Sequence, residues 1–151
     1  MRFLADEMLG TLARRLRLLG YDTAYARDVE DHSLLVRARA EGRRLLTRDR
    51  ALAARAGPAA TLVVATDLDR QVDDLVRALG LAPDPARFLS RCAACNAPVR
   101  PAPREEAAGR VPPAVLARHD AFWACDACGR LYWRGTHVER LEAWARRVLG
   151  A

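Results

Sequence analysis

Four cysteines are the residues of this sequence whose type and spacing most directly predict chemistry. They form two C-x-x-C pairs, Cys92 with Cys95 and Cys125 with Cys128, and 29 residues separate the two pairs. A gap of two residues lets both thiolates of a pair face the same ion, and two such pairs complete the tetrahedral sulfur shell that structural zinc prefers. The spacing therefore predicts a zinc ribbon with zinc as its structural cofactor.

Two other uses of the cysteines stay open at this point. They could form two disulfides or remain buried thiols, although disulfides are rare in the cytoplasm, and the sequence shows no secretory signal. They could also be redox-active, but neither pair follows a strand that opens a helix, which disfavours that use. Zinc binding is the favoured interpretation.

A second set of candidate residues consists of acids at the ends of predicted strands. Asp6 follows the first strand, Asp49 the third and Asp67 the fourth, while Asp31 begins the second helix. Carboxylates brought together at one edge repel one another, and a divalent cation such as Mg²⁺ or Mn²⁺ relieves that repulsion. We therefore predict a catalytic Mg or Mn site formed by Asp6, Asp31, Asp49 and Asp67.

The simpler interpretation of these acids is that they cap helices. Asp31, Asp49 and Asp67 all precede predicted helices, and aspartate is a preferred N-cap residue. Asp6 is harder to explain in this way, because it follows an apolar strand. We expect Asp6 and Asp49 to be the central pair of the site, and Glu7 could join them.

Covalent catalysis and nucleotide hydrolysis lack support. The histidines are only His32, His119 and His137, and no nucleophile is paired with a base, so metal-assisted hydrolysis fits better. The sequence contains neither G-x-x-x-x-G-K nor G-x-G-x-x-G, the motifs of phosphate-binding loops and dinucleotide-binding folds. His137 could be a further zinc ligand, but a surface position at the start of a helix is the more ordinary interpretation.

Strand and helix patterns alternate along the first part of the chain. The predicted strands are residues 2–5, 21–25, 43–47 and 61–65, and the predicted helices are about 8–19, 32–41, 50–56 and 68–79. Such alternation predicts an α/β fold, in which helices flank a parallel sheet and a ligand lies at the carboxyl ends of the strands.

The last third of the chain has a different pattern. Prolines between the two cysteine pairs exclude long helices there and predict loop or hairpin. Residues 131–133 predict a strand, and apolar residues from 138 to 148 repeat at the spacing of a terminal amphipathic helix. We expect two domains, residues 1–87 and residues 88–151.

The charge of the chain is consistent with RNA as a partner. All 25 basic residues are arginine and the net charge is +6, and guanidinium groups bind phosphate in a bidentate manner. A GC-rich genome would produce the same composition. There is no apolar run of the roughly 18 residues that a membrane span needs, so we expect a soluble, cytoplasmic protein with no membrane partner.

Other arginines and aromatic residues have two possible roles each. Arg14, Arg15 and Arg17 could guide a phosphate backbone or only solvate the first helix. The aromatic residues near the second cysteine pair could stack on bases or form the small core of the ribbon, and the core is favoured. These residues are Phe122, Trp123, Tyr132 and Trp133.

Nearly the whole chain carries a set of motifs that is specific when taken together. They are residues 3–10 (FLADEMLG), 16–22 (LRLLGYD), 41–49 (EGRRLLTRD), 90–92 (SRC), 95–96 (CN), 111–113 (VPP) and 125–137 (CDACGRLYWRGTH). This set resembles the Mut-seven C-terminal RNase domain family, in which a PIN-like nuclease domain precedes a zinc ribbon.

The resemblance implies a PIN-like parallel sheet flanked by helices, then a C-terminal zinc ribbon and a terminal helix. It also implies a ribonuclease whose acids hold Mg²⁺ or Mn²⁺ and activate water for attack on an RNA phosphodiester. By position, Asp6 and Asp49 match the PIN-type acids best and Asp31 is a third, while Asp67 or Asp69 supplies the fourth. The alternative is a non-catalytic RNA-binding or adaptor protein that uses its zinc ribbon and arginines.

Overall fold

The computed structural model describes residues 1–149, which fall into two compact units. The first unit comprises Met1–Arg17 and Tyr21–Ala82, and the second comprises Leu18–Gly20 and the chain from Pro83 onward. None of the helices in the described chain combines the length and the apolar character needed to cross a bilayer.

The first unit is built on a four-stranded parallel sheet in the order β2-β1-β3-β4. The strands are β1 (Arg2–Ala5), β2 (Asp22–Tyr25), β3 (Arg44–Thr47) and β4 (Ala60–Leu62), and the helices are α1 (Gly10–Leu18), α2 (Asp31–Ala40), α3 (Arg50–Ala56) and α4 (Leu68–Leu79). The predicted α/β class, a parallel sheet flanked by helices, is confirmed.

Apolar residues of the central strands and a glycine cap explain these elements. Phe3, Leu4, Leu45 and Leu46 are fully buried on β1 and β3, as expected for parallel strands covered on both faces. Helix α4 ends at Gly80, whose φ of 59° places it in the left-handed region that glycine adopts without strain.

The fourth strand differs from its prediction. The apolar run at residues 61–65 predicts a buried strand, but β4 spans only Ala60–Leu62, and Val64 is 61% exposed. The sheet order explains the difference, because β4 is an edge strand with a neighbour on one side only. The apolar run therefore did not show that this strand has a neighbouring strand on one edge only.

The second unit contains a three-stranded antiparallel sheet and a terminal helix. The strands are β5 (Arg100–Ala102), β6 (Phe122–Ala124) and β7 (Leu131–Trp133), and the helices are α5 (Arg104–Ala107), α6 (Pro113–Arg118) and α7 (Thr136–Leu149). The strand at 131–133 and the terminal helix are confirmed. The predicted apolar face of α7 consists of Val138, Leu141, Trp144, Ala145 and Val148. The first four are buried, and the side chain of Val148 lies outside the described residues.

The stretch between the two cysteine pairs is more regular than predicted. Instead of loop or hairpin alone, it contains β5 and the short helices α5 and α6. Prolines set the starts of both helices, since Pro103 is the N-cap of α5 and Pro113 is the first residue of α6. Proline is tolerated there because the first N–H groups of a helix have no intrahelical partner.

Aromatic residues of β6 and β7 contribute to a small core. Phe122 is buried with Ala102, Ala107 and other small residues, and Trp133 packs against this cluster. The core role is therefore confirmed for Phe122 and Trp133.

An arginine network ties together the amino ends of three strands in the first unit. The side chain of Arg43 is 8% exposed and donates to the Phe3 carbonyl at 3.1 Å and to Asp22 Oδ1 at 2.7 Å. It also donates to Glu41, and hydrogen bonds from Arg37 and then Arg43 lower the pKa of the Glu41 carboxyl. The acids Asp22 and Glu41 at this edge of the sheet are therefore paired with arginine.

The arginines of α1 have separate roles. Arg17 is buried, and its Nε donates to the Thr23 carbonyl at 2.8 Å, so it neither solvates the helix nor contacts phosphate. Arg15 pairs with Asp69 at 3.0 Å. Arg14 is exposed. For this arginine both predicted roles, contact with phosphate and solvation of the helix, stay predictions.

We expect Arg17→Met to lower the free energy of unfolding by about 1–3 kcal/mol, because it removes a buried hydrogen bond to the Thr23 carbonyl. Arg14→Met, on the same helix but exposed, should change it by less than about 0.5 kcal/mol. Urea denaturation of both variants checks this, and equal effects would contradict the structural role of Arg17.

Candidate functional site

The carboxyl edge of the parallel sheet contains a switch point between β1 and β3. β1 pairs with β2 on one side and with β3 on the other, so successive connections leave this edge in opposite directions. In open α/β sheets the crevice at such a point is where ligands bind. Asp6 directly follows β1, and Arg48 and Asp49 directly follow β3.

A buried threonine links the two central acids across this switch point. Thr47 is fully buried, and its Oγ1 donates to Asp6 Oδ2 at 2.8 Å and accepts from the Asp49 backbone N–H at 3.0 Å. The Asp6 backbone N–H donates to the Leu46 carbonyl at 3.0 Å. One hydroxyl therefore links the Asp6 carboxylate to the Asp49 backbone, and a metal site shared by the two carboxylates stays a prediction.

Thr47 was not among the predicted site residues. The available signal was a hydroxyl at the end of a strand, directly after two leucines and directly before an arginine and an aspartate. Tyr25 was also missed. Its hydroxyl donates to the Glu7 carbonyl at 2.7 Å, and its ring lies so close to Gly10 that a Cβ there would be 3.2 Å away. Tyr25 thus fixes the short turn that follows Asp6.

Three of the four predicted acids also cap helices. Asp6 Oδ1 accepts from the Glu7 N–H at the start of the 3-10 turn Glu7–Leu9. Asp49 Oδ1 accepts from the Leu52 N–H at 3.0 Å, and Asp67 Oδ1 accepts from the Arg70 N–H at 3.0 Å. The capping interpretation is therefore confirmed for Asp49 and Asp67, although each keeps its Oδ2 without a hydrogen bond in the described chain.

Asp31 has a different environment. It is the first residue of α2 and not its cap, since the N-cap position is Glu30, and its Oδ2 pairs with Arg55 at 3.3 Å. Within residues 1–149, no acids form a group of three that could share one metal ion. The structure thus joins Asp6 to Asp49 and leaves the complete carboxylate site a prediction.

The four cysteines do converge on one point. Their sulfur atoms all lie within 4.8 Å of one another, and two of the distances, Cys92 to Cys128 and Cys95 to Cys125, are 3.5 Å. Zinc–sulfur bonds of about 2.3 Å in a tetrahedron imply sulfur separations of about 3.8 Å. All four are free cysteines, and the donor set fits a structural zinc ion.

Two turns of the same backbone geometry present these sulfurs. In each turn the backbone N–H of the residue after the second cysteine donates to the carbonyl of the first cysteine. The N–H of the first cysteine donates to the carbonyl of the residue five positions further along the chain. The bonds are Asn96 to Cys92, Cys92 to Ala97, Gly129 to Cys125 and Cys125 to Arg130, at 2.8–2.9 Å. Asn96 and Gly129 have φ of 71° and 77°, which asparagine and glycine tolerate best.

Hydrogen bonding distinguishes the thiols from one another. Burial raises the pKa of Cys92, but hydrogen bonds from the Tyr132 hydroxyl, two backbone N–H groups and the Cys128 thiol outweigh it and lower the pKa to about 6. Burial raises the pKa of Cys95 to about 12, and the neighbouring thiols add to that rise. Hydrogen bonding therefore favours the thiolate form at Cys92, and zinc binding requires deprotonated cysteine ligands.

The exposed His137 lies in the first turn of α7 and does not join the cysteine group. The surface interpretation of this residue is therefore confirmed. Tyr132 does contact the cysteine group, since its hydroxyl oxygen is 3.0 Å from Cys92 Sγ.

The model of the Mut7-C RNAse domain family matches residues 1–145, which is nearly the whole chain. The chain belongs to the Mut7-C RNAse domain family. The match confirms the resemblance seen in the sequence motifs, and the description of the Mut7-C family indicates a nuclease or RNA-related role. No curated protein and no solved structure matches the chain.

We expect the purified Mut7-C protein to hold one tightly bound zinc ion per chain, and Cys95→Ser to lose it, because three thiolates bind zinc more weakly than four. Removing zinc with a chelator should unfold the ribbon, since zinc binding and folding are coupled in small metal domains. Metal analysis and limited proteolysis measure both effects. Adding zinc back is the control, and unchanged proteolysis after chelation would contradict the structural role.

Tyr132→Phe should weaken zinc binding by about 10- to 100-fold, because groups that hydrogen-bond to metal ligands orient and stabilise them. Competition against a chelator of known affinity measures this. Tyr25→Phe removes the same hydroxyl from the other unit and should leave zinc affinity unchanged. Equal zinc affinity in the two variants would show that the contact with Cys92 does not contribute.

Proposed function

We propose that this Mut7-C protein is a metal-dependent ribonuclease that hydrolyses RNA phosphodiester bonds with Mg²⁺ or Mn²⁺ held at the carboxyl edge of its PIN-like domain. The observation that carries the proposal is the hydrogen-bonded series Asp6, Thr47 and Asp49 at the switch point between β1 and β3. Membership of a family described as an RNAse domain supports the same chemistry.

The residues at this edge fit a hard divalent cation, which prefers carboxylate oxygens. Both oxygens of Asp6 accept hydrogen bonds, which hold the carboxylate in one orientation while lone pairs remain on each oxygen. Asp49 is exposed, and its Oδ2 is available. When bound, Mg²⁺ or Mn²⁺ would activate a water molecule and stabilise charge developing on the phosphate.

The other two acids have supporting places in this proposal. Asp67 keeps one free oxygen at the start of α4, whereas Asp31 would have to leave Arg55 before it could contact a cation. Arg48 lies between Thr47 and Asp49 in the chain, and its positive charge would attract a phosphate to the same edge.

The zinc ribbon, residues 88–151, would aid RNA binding, and the nuclease domain, residues 1–87, would cleave the RNA. Several of its arginines are exposed and have no acidic partner in the described part of the chain, namely Arg118, Arg130 and Arg140. Exposed guanidinium groups can contact the phosphate backbone of RNA. A cytoplasmic location, where thiols stay reduced, belongs to this proposal.

The alternative is a non-catalytic RNA-binding or adaptor protein. A specific observation favours it, because Asp49 and Asp67 already make the hydrogen bonds that a capping role requires. In that case zinc would be the only metal that the protein needs, and the arginines would account for RNA binding.

The two functions differ in their response to removal of charge at the switch point. In the presence of Mn²⁺, Asp6→Asn and Asp49→Asn should each reduce cleavage of labelled single-stranded RNA by at least about 100-fold, the effect of losing a few kcal/mol of transition-state stabilisation. Asparagine caps helices as well as aspartate does, so the fold should be retained. Asp84→Asn, which changes a capping aspartate of the second unit, is the matched control.

Cleavage by the wild type and the control alone would support the nuclease. Equal cleavage by all four proteins would refute the role of Asp6 and Asp49. If none cleaves and all bind RNA with the same affinity, the adaptor is the correct function.

A further inference from the structure

A cavity of about 300 Å³ opens in the first unit where β1, β3 and β4 end. Its wall includes Met8 from the turn after β1, Arg48 from the segment after β3, and Leu68 with Gln71 from α4. The cavity therefore borders the same edge of the sheet as Asp6 and Asp49. Its size is at the lower end of small-molecule sites and suits one ring system with its substituents.

Gln71 presents an unused hydrogen-bond acceptor there. The residue is 8% exposed, and its Nε2 donates to the Ala65 carbonyl at 2.9 Å, which fixes the amide orientation. Its Oε1 has no hydrogen-bond partner in the described chain. Every fully buried side-chain polar atom of the described chain does have one, so Oε1 is not fully buried. Oε1 is thus reachable from outside, and the cavity is the space that Gln71 lines.

Arg48 presents donors next to that acceptor. Its Nη1 donates to the same Ala65 carbonyl at 2.6 Å, so one carbonyl anchors both side chains side by side. A guanidinium group has five N–H donors, and the remaining ones are available to a ligand. Met8 and Leu68 supply accessible apolar wall on the same cavity.

A ligand matching this arrangement is flat and apolar on its faces and carries a donor and an acceptor on one edge. Nucleobases have this combination, and single-stranded RNA is recognised through unpaired bases that are buried on apolar side chains and hydrogen-bonded at their edges. A free phosphate would satisfy Arg48 but would place an anion against the acceptor Oε1 of Gln71.

We propose that this cavity binds one unpaired nucleobase of single-stranded RNA, with Gln71 Oε1 and Arg48 at the base edge. The inference rests on the proposed function, since it assigns the base to a nucleotide beside the phosphodiester held near Asp6 and Asp49. The cavity would thereby select single strands over duplexes, whose bases are paired and stacked.

Nucleotide titration of ¹⁵N-labelled full-length protein, with zinc but without Mg²⁺ or Mn²⁺, tests the cavity without requiring cleavage. Cytidine, uridine, adenosine and guanosine 5′-monophosphates should shift the Gln71 side-chain amide and the Leu68 backbone amide saturably, whereas ribose 5-phosphate should not. Thr66→Trp, which fills the cavity from an exposed rim position, should raise the Kd at least tenfold. Ser33→Trp, exposed on α2, should leave it unchanged.

Equal shifts with ribose 5-phosphate would identify a phosphate site and overturn the proposal, as would no saturable shift with any of the four nucleotides. The wild-type titration decides this even if Thr66→Trp fails to fold. Nucleotide binding without RNA cleavage in Mn²⁺ would refute the nuclease and retain the base site. Cleavage without nucleotide binding would refute the base site alone.

Discussion

The pairing of β1 with a parallel strand on each side is the constraint on which the candidate active site depends. It places Asp6 next to the end of β3, so that Thr47 can donate to one acid and accept from the backbone of the other. Backbone hydrogen bonds of the sheet fix the positions, and one buried hydroxyl fixes the orientation. Loss of register by one residue would turn Thr47 to the opposite face.

The second unit depends on a different force. The apolar cluster around its sheet is small, formed by alanines with Val111 and Phe122, and a cluster of this size stabilises a fold only weakly. Four thiols within 4.8 Å of one another would repel if all were ionised. A bound cation would reverse that repulsion, and the metal-bound cluster would then stabilise the second unit.

Arginine is the only basic side chain, and its roles are set by location. Arg43 neutralises acids at the amino edge of the sheet, and Arg17 is buried against a backbone carbonyl. Arg48 shares the Ala65 carbonyl with Gln71 at the opposite edge. The net charge therefore overstates the number of arginines available to RNA, because several are used within the fold.

The sequence by itself determined the α/β class, the helix that ends at Gly80 and the cysteine set, because periodicity, glycine caps and C-x-x-C spacing are local properties of the chain. It also placed Asp6 and Asp49 at strand ends. Only the tertiary structure decided that β4 lies at an edge and that Arg17 faces inward. It also decided that Thr47 links Asp6 to the Asp49 backbone and that Gln71 lines a cavity. These facts depend on which strands and helices become neighbours, and hydrogen bonds between distant residues leave no periodic trace in the sequence.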